Sequence, residues 1–439
     1  MSDRPATQHL WAAEPWRLRR EAEELGEEIG KADARHKDPD LFHRPTPQID
    51  QSPNGEIAFI RRWNSHTPVV TGETGGGYFV RWRDKGTVID PGCSFVQAFT
   101  DNTHYSLADV DLIVVTHDHI DHCHDLVTLV SLLRQYNKQR LDGGLKPKIW
   151  DLVVSHGVYD QFKSILRHPE NSMFLSLCKV LPPGRVERMW KVPAPWEKAL
   201  AARAPKLEQW HRAYVKYHRK RKLRDVYHYD LSCTRTQHHE LLGERTGFGV
   251  TLRLLAQQSK DRVRMISFSG DTAVENEPWP VRVEELREAW KDTHLLVLHV
   301  GTMEDPAHSG NDGGFRRLDE HLGFRGVCDV LRAMAGSKKL RMVVLGEWGY
   351  ECGGYLTQGR TRFCKLVQKA LKEAEIECYY SLTQEGHPQG HVPIVPCDLG
   401  LRVSLPELNI WCEERGDYLA PKDIRAHEEG ECIEYRPRP

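Results

Sequence analysis

Nowhere in its 439 residues does the chain carry an apolar stretch near the roughly 18 needed to cross a bilayer, and no charged-then-apolar leader opens it. A membrane span and a signal peptide are therefore not expected; a cytoplasmic location is. Net charge is almost absent: 61 Lys and Arg face 62 Asp and Glu, leaving −1. No global field thus implies a polyanionic partner. The 11 cysteines form no C-x-x-C pair, which excludes the common zinc-ribbon and thioredoxin-type signatures and reads as reduced thiols. Also missing are an internal repeat, a low-complexity tract, a G-x-x-x-x-G-K loop after a strand, a flavodoxin-like redox module and tandem signals of an added nucleic-acid domain.

What is present is enough apolar residue, 39% of the chain, for a large core. The length allows about two or three domains, or one decorated domain. Residues 1–48 begin with a polar helical arm, with Leu18, Ala22, Leu25 and Ile29 on one face, suited to packing on the core or on a second subunit. Pro45-Thr-Pro47 marks entry to a main domain over 49–400, and 401–439 is read as a C-terminal extension. Glu56–Trp63 and Gly77–Trp82 are two strands able to pair, and Lys148–Val154 is a third.

The chemistry is concentrated in residues 116–125, Thr-His-Asp-His-Ile-Asp-His-Cys-His-Asp. His117, His119, Asp121 and His122 have the H-x-H-x-D-H spacing that can feed two adjacent metals, and imidazoles with a carboxylate suit zinc. The run Asp111-Leu-Ile-Val-Val-Thr116 before them is apolar and β-branched, so it reads as a buried strand that delivers the cluster at its C-terminal end. Cys123 inside this loop is read as a small packed side chain.

With these residues the chain resembles the metallo-β-lactamase superfamily, in particular the phosphodiesterase branch that contains ribonuclease Z and the phospholipase D acting on N-acyl phosphatidylethanolamines. The resemblance covers roughly 55–400 and implies an αββα sandwich with a helical insertion. Gly86-Thr-Val-Ile-Asp90 resembles an early family landmark whose aspartate braces the metal loop. The third metal histidine is expected in Thr236-Gln-His238-His239, with His238 preferred, and the bridging aspartate in Met265-Ile-Ser-Phe-Ser-Gly-Asp271. Helix 321–334, led by His321, and strand 340–349 resemble the family's last elements, with Glu347 where a histidine is usual. Either Glu347 is the last ligand and His321 protonates a leaving group, or His321 is the ligand. A carboxylate at that position favours a harder ion such as manganese beside zinc. His299 could line the pocket, His156 a pocket wall, and His124 could hydrogen bond a ligand. His308, His387 and His391 sit in loops with surface exposure as the default.

One segment differs from the rest. The domain is interrupted at about 177–225, and residues 185–224 hold 13 Lys or Arg against three Glu, interleaved with Trp190, Trp196, Trp210, Tyr214 and Tyr217. Lys206–Arg224 reads as one helix. Such a segment either packs its aromatic stripe on the domain or forms a basic lid that attracts a phosphate-bearing substrate and stacks bases. The expectation is a hydrolase using a hydroxide activated by two divalent ions, with Asp121 and His321 catalytic, acting on RNA, a nucleotide or another phosphodiester. A hydrolase of carboxylic esters, lactones, thioesters or amides is the alternative on the same centre, and a non-catalytic scaffold the third reading. A homo-oligomer is compatible with the sequence.

Overall fold

The structure is a computed structural model that describes residues 23–28, 55–63, 76–142, 145–172, 174–181, 188–189, 223–238, 247–255, 264–275, 280–301, 321–349, 358–383, 390–405, 407–430 and 432–438. In chain order the strands of the first half are β1 Gly55–Phe59, β2 Tyr78–Trp82, β3 Lys85–Ile89, β4 Val110–Val115, β5 Trp150–Ser155, β6 Leu175–Leu181 and β7 Arg188–Met189. The second half supplies β8 Tyr229–Arg235, β9 Phe248–Leu254, β10 Arg264–Phe268, β11 Leu295–Gly301, β12 Met342–Trp348, β13 Tyr379–Ser381 and β14 Val392–Pro396. Five shorter strands close the chain: β15 Arg402–Leu405, β16 Ile410–Cys412, β17 Asp417–Leu419, β18 Ile424–Glu429 and β19 Cys432–Pro437.

These strands make a ten-stranded sheet in the order β17-β16-β15-β1-β2-β3-β4-β5-β6-β7, a seven-stranded sheet in the order β13-β14-β12-β11-β10-β9-β8, and the β18–β19 hairpin. Strict alternation along the central strands decides how they stack. Ile57, Phe59, Leu112 and Val114 of the first sheet face Ile266, Phe268, Leu295, Val297, Met342 and Val344 of the second. Their neighbours Ala58, Ile113 and Val115 turn outward, onto helices Phe95–Asn102, Leu126–Asp142 and His156–Leu166. On the other side Leu296, Leu298, Val343 and Leu345 pack on helices Val283–Trp290, Gly323–Met334 and Gly359–Glu373. Strands apolar on both faces must be covered on both, and the result is the expected αββα sandwich.

Two boundaries read from the sequence move. Segment 401–439 is not set apart, because β15 pairs antiparallel with β1, from Ala58↔Arg402 to Gly55↔Leu405, and carries β16 and β17 to the edge of the first sheet. The interruption does not begin at 177: Leu175–Leu181 pairs in parallel with β5 and is apolar enough to continue the sheet, and Arg188–Met189 pairs back on it. Of the segment 206–224 only Leu223 and Arg224 are described, in a short helix Leu223–Tyr227; the rest, with most of arm 1–48, lies outside the described residues. Among the described residues no helix is long and apolar enough to cross a membrane.

What the topology does for function is to gather strand ends. β3, β4, β5 and β6 are mutually parallel, as are β10, β11, β12 and β14. The residues at or just beyond the C-terminal ends of β3, β4, β10, β11 and β12 are the ones singled out for chemistry.

Candidate metal centre

Asp90 follows β3 and Thr116-His117 follow β4, and the two ends are tied together. The Thr116 N–H donates to Asp90 Oδ1 and its hydroxyl to Oδ2, both at 2.7 Å, and Asp90 Oδ2 lies 3.1 Å from His122 Nδ1. A carboxylate on Nδ1 fixes the imidazole and leaves Nε2 to point into the site. Asp90 reaches this contact with a left-handed backbone (φ 51°), as does Glu347 (φ 54°) at the end of β12. For residues with a Cβ that conformation is strained, and at both it turns a buried carboxylate off a strand end toward one point.

The structure brings His117, His119, Asp121, His122, His238, Asp271, His321 and Glu347 into one site. Ligand atoms of His117, His119 and His238 lie within 4.8 Å of one another, and the same limit holds for three further sets: His117, His122, Asp271; His238, Asp271, His321; and Asp271, His299, Glu347. Asp271 belongs to three of the four sets, the position expected of a bridging carboxylate. His238 Nε2 is 2.9 Å from His119 Nδ1. The competing His239 lies outside the described residues, as do His308 and His387. His321 precedes helix Gly323–Met334 rather than leading it, and its Nε2 is 3.3 Å from Asp271 Oδ2. Gly301 makes that approach possible: at φ 70° a Cβ there would stand 2.5 Å from His321 Cβ. So Glu347 and His321 both reach Asp271's neighbourhood, from opposite sides.

The electrostatics set protonation states. Burial, then the neighbouring His122, holds the His117 imidazole well below its ordinary pKa, so its lone pair is free. Burial works against ionising Asp271 and Glu347, but the surrounding cations and hydrogen bonds win: His122, His299 and His321 hold Asp271 well down, and Arg61, His299 and His122 hold Glu347 down. These are the forms a metal requires. The buried His117 Nε2 has no hydrogen-bond partner, while Glu347 Oε2 faces Arg61 Nη1 at 2.7 Å and His299 Nδ1 at 2.9 Å. A lone pair held in the core among other ligand-type atoms fits a cation. The donor set therefore fits a divalent metal.

Three contributors escaped or exceeded the sequence reading. His299, expected only to line the pocket, is buried with Nδ1 3.0 Å from Asp271 Oδ1 and 2.9 Å from Glu347 Oε2. Tyr78, on β2, donates to Glu347 Oε1 at 2.8 Å and sits 3.0 Å from His299 Nε2. Arg61, just past β1, is wholly buried, with Nη1 2.7 Å from Glu347 Oε2 and 3.0 Å from His122 Nε2. A charged Arg61-Arg62 pair inside the apolar run Ile57–Trp63 was the available signal. Conversely, His124 turns away to Asp125 at 3.2 Å instead of bonding a ligand, and His156 opens a helix facing Asp160 at 3.3 Å. Cys123 is packed, its thiol pKa raised by burial.

With the geometry in hand, comparison places it. A family model described as a beta-lactamase superfamily domain matches residues 87–170, from β3 through the histidine loop to the helix after β5. No curated protein sequence matches the chain. Among solved structures, the metallo-β-lactamase fold protein YhfI from Bacillus subtilis is similar at a TM-score of 0.45 and 10% identity, over 79% of this chain and 98% of that one. The long form RNase Z from yeast is similar at 0.44 and 15%, over 69% of this chain and 38% of that one. The short form of human tRNase Z is similar at 0.40 and 13%, over 67% and 94%. The domain match covers residues 87–170, the part of the chain that carries the histidine loop, and the αββα sandwich and the strand-end cluster agree with it.

Proposed function

We propose that the chain is a metal-dependent phosphodiesterase acting on RNA, a nucleotide or another phosphate diester. The observation that carries the reading is the convergence of His117, His119 and His238 beside Asp271, with His321 on the solvent side of the same carboxylate. His117, His119 and His238, with Asp271, would hold a metal, zinc by the softness of imidazole. Asp121, His122, Asp271 and Glu347 form the second donor set, whose carboxylates suit manganese as well. A divalent ion in such a site supplies Lewis acidity and lowers the pKa of water toward neutrality.

The chain's own residues supply the rest. Asp90 and Thr116 hold the histidine loop, so the donors need not reorganise during the reaction. Asp121, buried at the loop's turn, has a carboxylate oxygen 3.4 Å from His122 Nε2 and can orient an attacking water. His321, like His119, is a partly exposed member of the cluster, 22% exposed at its side chain, so a proton on its ring can pass to a departing oxygen. That proton matters for an alkyl phosphodiester, whose leaving group is a strong base. The basic segment 185–224 would add steering of a phosphate substrate.

Turnover of bis-p-nitrophenyl phosphate against a panel of lactones and carboxylic esters tests this reading. Metal-dependent cleavage of the phosphodiester is expected, with kcat/KM falling as salt rises and with a higher KM when Lys220, Arg221 and Lys222 are changed to Glu. Cleavage confined to the ester panel would move the protein to the alternative hydrolase class, and a metal-free, inert protein would make it a scaffold.

A further inference from the structure

We propose that the Arg61 guanidinium is a resident second cation of this centre, so that the chain binds one divalent ion on the His117, His119 and His238 side and not two. The inference rests on the metal-centre reading above for that ion and concerns only the other position.

The second donor set is already answered. Arg61 Nη1 lies 2.7 Å from Glu347 Oε2 and 3.0 Å from His122 Nε2, and Nη2 is 3.8 Å from Asp121 Oδ2. Those are the three residues that complete the set around Asp271. Arg61 Nη1 also lies 3.3 Å from His122 Nδ1, so the guanidinium stands against the His122 ring while Nη1 holds the Glu347 carboxylate. A metal ion brought to that carboxylate oxygen would meet the guanidinium.

Arg61 is also fixed in place. Its Nε donates to the Gly76 carbonyl at 2.7 Å and its Nη2 to the carbonyl of Asp121, and the side chain is 0% exposed. Gly92 shapes the seat: a Cβ there would run into the Asp121 carbonyl and stand 3.0 Å from Arg61 Nη2. Swinging the guanidinium out would strand a permanent charge in the core.

Charge balance agrees. Four carboxylates surround the cluster, Asp90, Asp121, Asp271 and Glu347, and the guanidinium already supplies one of the positive charges they call for. A second dication at Glu347 would sit against that guanidinium. The Glu347 carboxylate on β12 and the Arg61 guanidinium after β1 are partners, 2.7 Å apart. Arg61 makes no contact with solvent, so it acts as a positioning residue, holding Glu347 and His122 while balancing the charge that a second metal would otherwise balance.

Metal content measures this directly. Purified full-length protein, loaded with excess zinc or manganese and gel-filtered, should retain one ion per chain by elemental analysis, and Arg61→Met, which keeps length without charge, should retain two. A wild type with two ions overturns the inference while leaving the metal-centre reading intact, and a wild type with none overturns both. An Arg61→Met variant that folds and still binds one ion overturns the role of the guanidinium. Should Arg61→Met fail to fold by circular dichroism, Arg61→Gln, which keeps hydrogen-bond donors without the charge, decides: two ions per chain support the inference, and one overturns it. Cobalt substitution gives an independent readout, since a single ion lacks the exchange-coupled spin signal of a pair.

Discussion

Two arginines, Arg61 and Arg360, are wholly buried, and their surroundings separate a structural ion network from a functional one. Arg360 Nε donates to Glu428 Oε1 at 3.0 Å, and Thr361 donates to Glu428 Oε2 through its N–H and its hydroxyl at 3.0 and 2.9 Å. Asp398, 3.0 Å from Arg360, takes Arg62 Nε at 2.6 Å on Oδ1 and the Ile433 N–H at 2.6 Å on Oδ2. Every carboxylate oxygen there receives a donor, and the effect is to lock the β18–β19 hairpin onto the sandwich. Around Arg61 the same ingredients leave His117 Nε2 without a hydrogen bond and crowd the imidazoles of His117, His122, His299 and His321 against Asp271. A closed network holds a fold, and an open one with converging lone pairs is built for a guest.

The comparison breaks most sharply if the two networks fail differently. Asp271→Ala or His117→Ala should lower kcat/KM more than about 10³-fold, beyond what one lost electrostatic donor costs, together with loss of bound metal and a preserved circular dichroism spectrum. Full turnover with undiminished metal would remove these residues from the centre. Glu428→Ala should do the reverse. It removes one of the two carboxylates that pair with buried Arg360 and the acceptor of Thr361, and is expected to destabilise by about 3 kcal/mol in denaturant titration, while metal content and KM of the folded protein stay as they were.

The same contrast explains what could be read beforehand. The histidine loop was legible because its ligands are local, four within six residues behind an apolar strand, and Asp271 because it ends another such strand. The αββα layering was expected from the family resemblance, and strands apolar on both faces account for it in the structure. Arg61 and Tyr78 were not legible: they arrive from β1 and β2 through tertiary pairing, and nothing in their local spacing names their partners. His299 shows the middle case, where a strand-end histidine pointed to the site but its two carboxylate contacts come only from the register of β11 against β12, His299↔Gly346. The misplaced boundary at 401 has a similar cause, since β15 finds β1 across more than 300 residues.

Within the open network, His321 and the imidazole triad should separate by leaving group. His321→Ala is expected to keep its metal and to slow phosphodiesters with poor leaving groups by about 10²–10⁴-fold, while activated nitrophenyl substrates change little, because their oxygens need no proton. Loss of metal in this variant would place His321 among the ligands instead.

The smallest effect concerns a third buried charge that neither network contains. Glu56 on β1 is 1% exposed, and neither of its carboxylate oxygens has a hydrogen-bond partner. Burial raises its pKa to about 7 against an ordinary 4.5, with Arg402 and Tyr105 opposing. The folded state therefore keeps a proton that the unfolded chain releases from about pH 4.5 upward. Stability is full below that pH, declines as pH rises through the window to about 7, and above it carries the whole penalty of a buried anion, on the order of 3 kcal/mol. Glu56→Gln removes the titration but leaves a buried polar group, so the two proteins need not agree in absolute stability. What should differ is slope: between about pH 5 and pH 8.5 the wild-type Tm is expected to fall by more than that of the variant. Parallel curves for the two would mean that Glu56 finds a partner for its charge within the fold, and that the sandwich holds a second closed network in place of an uncompensated acid.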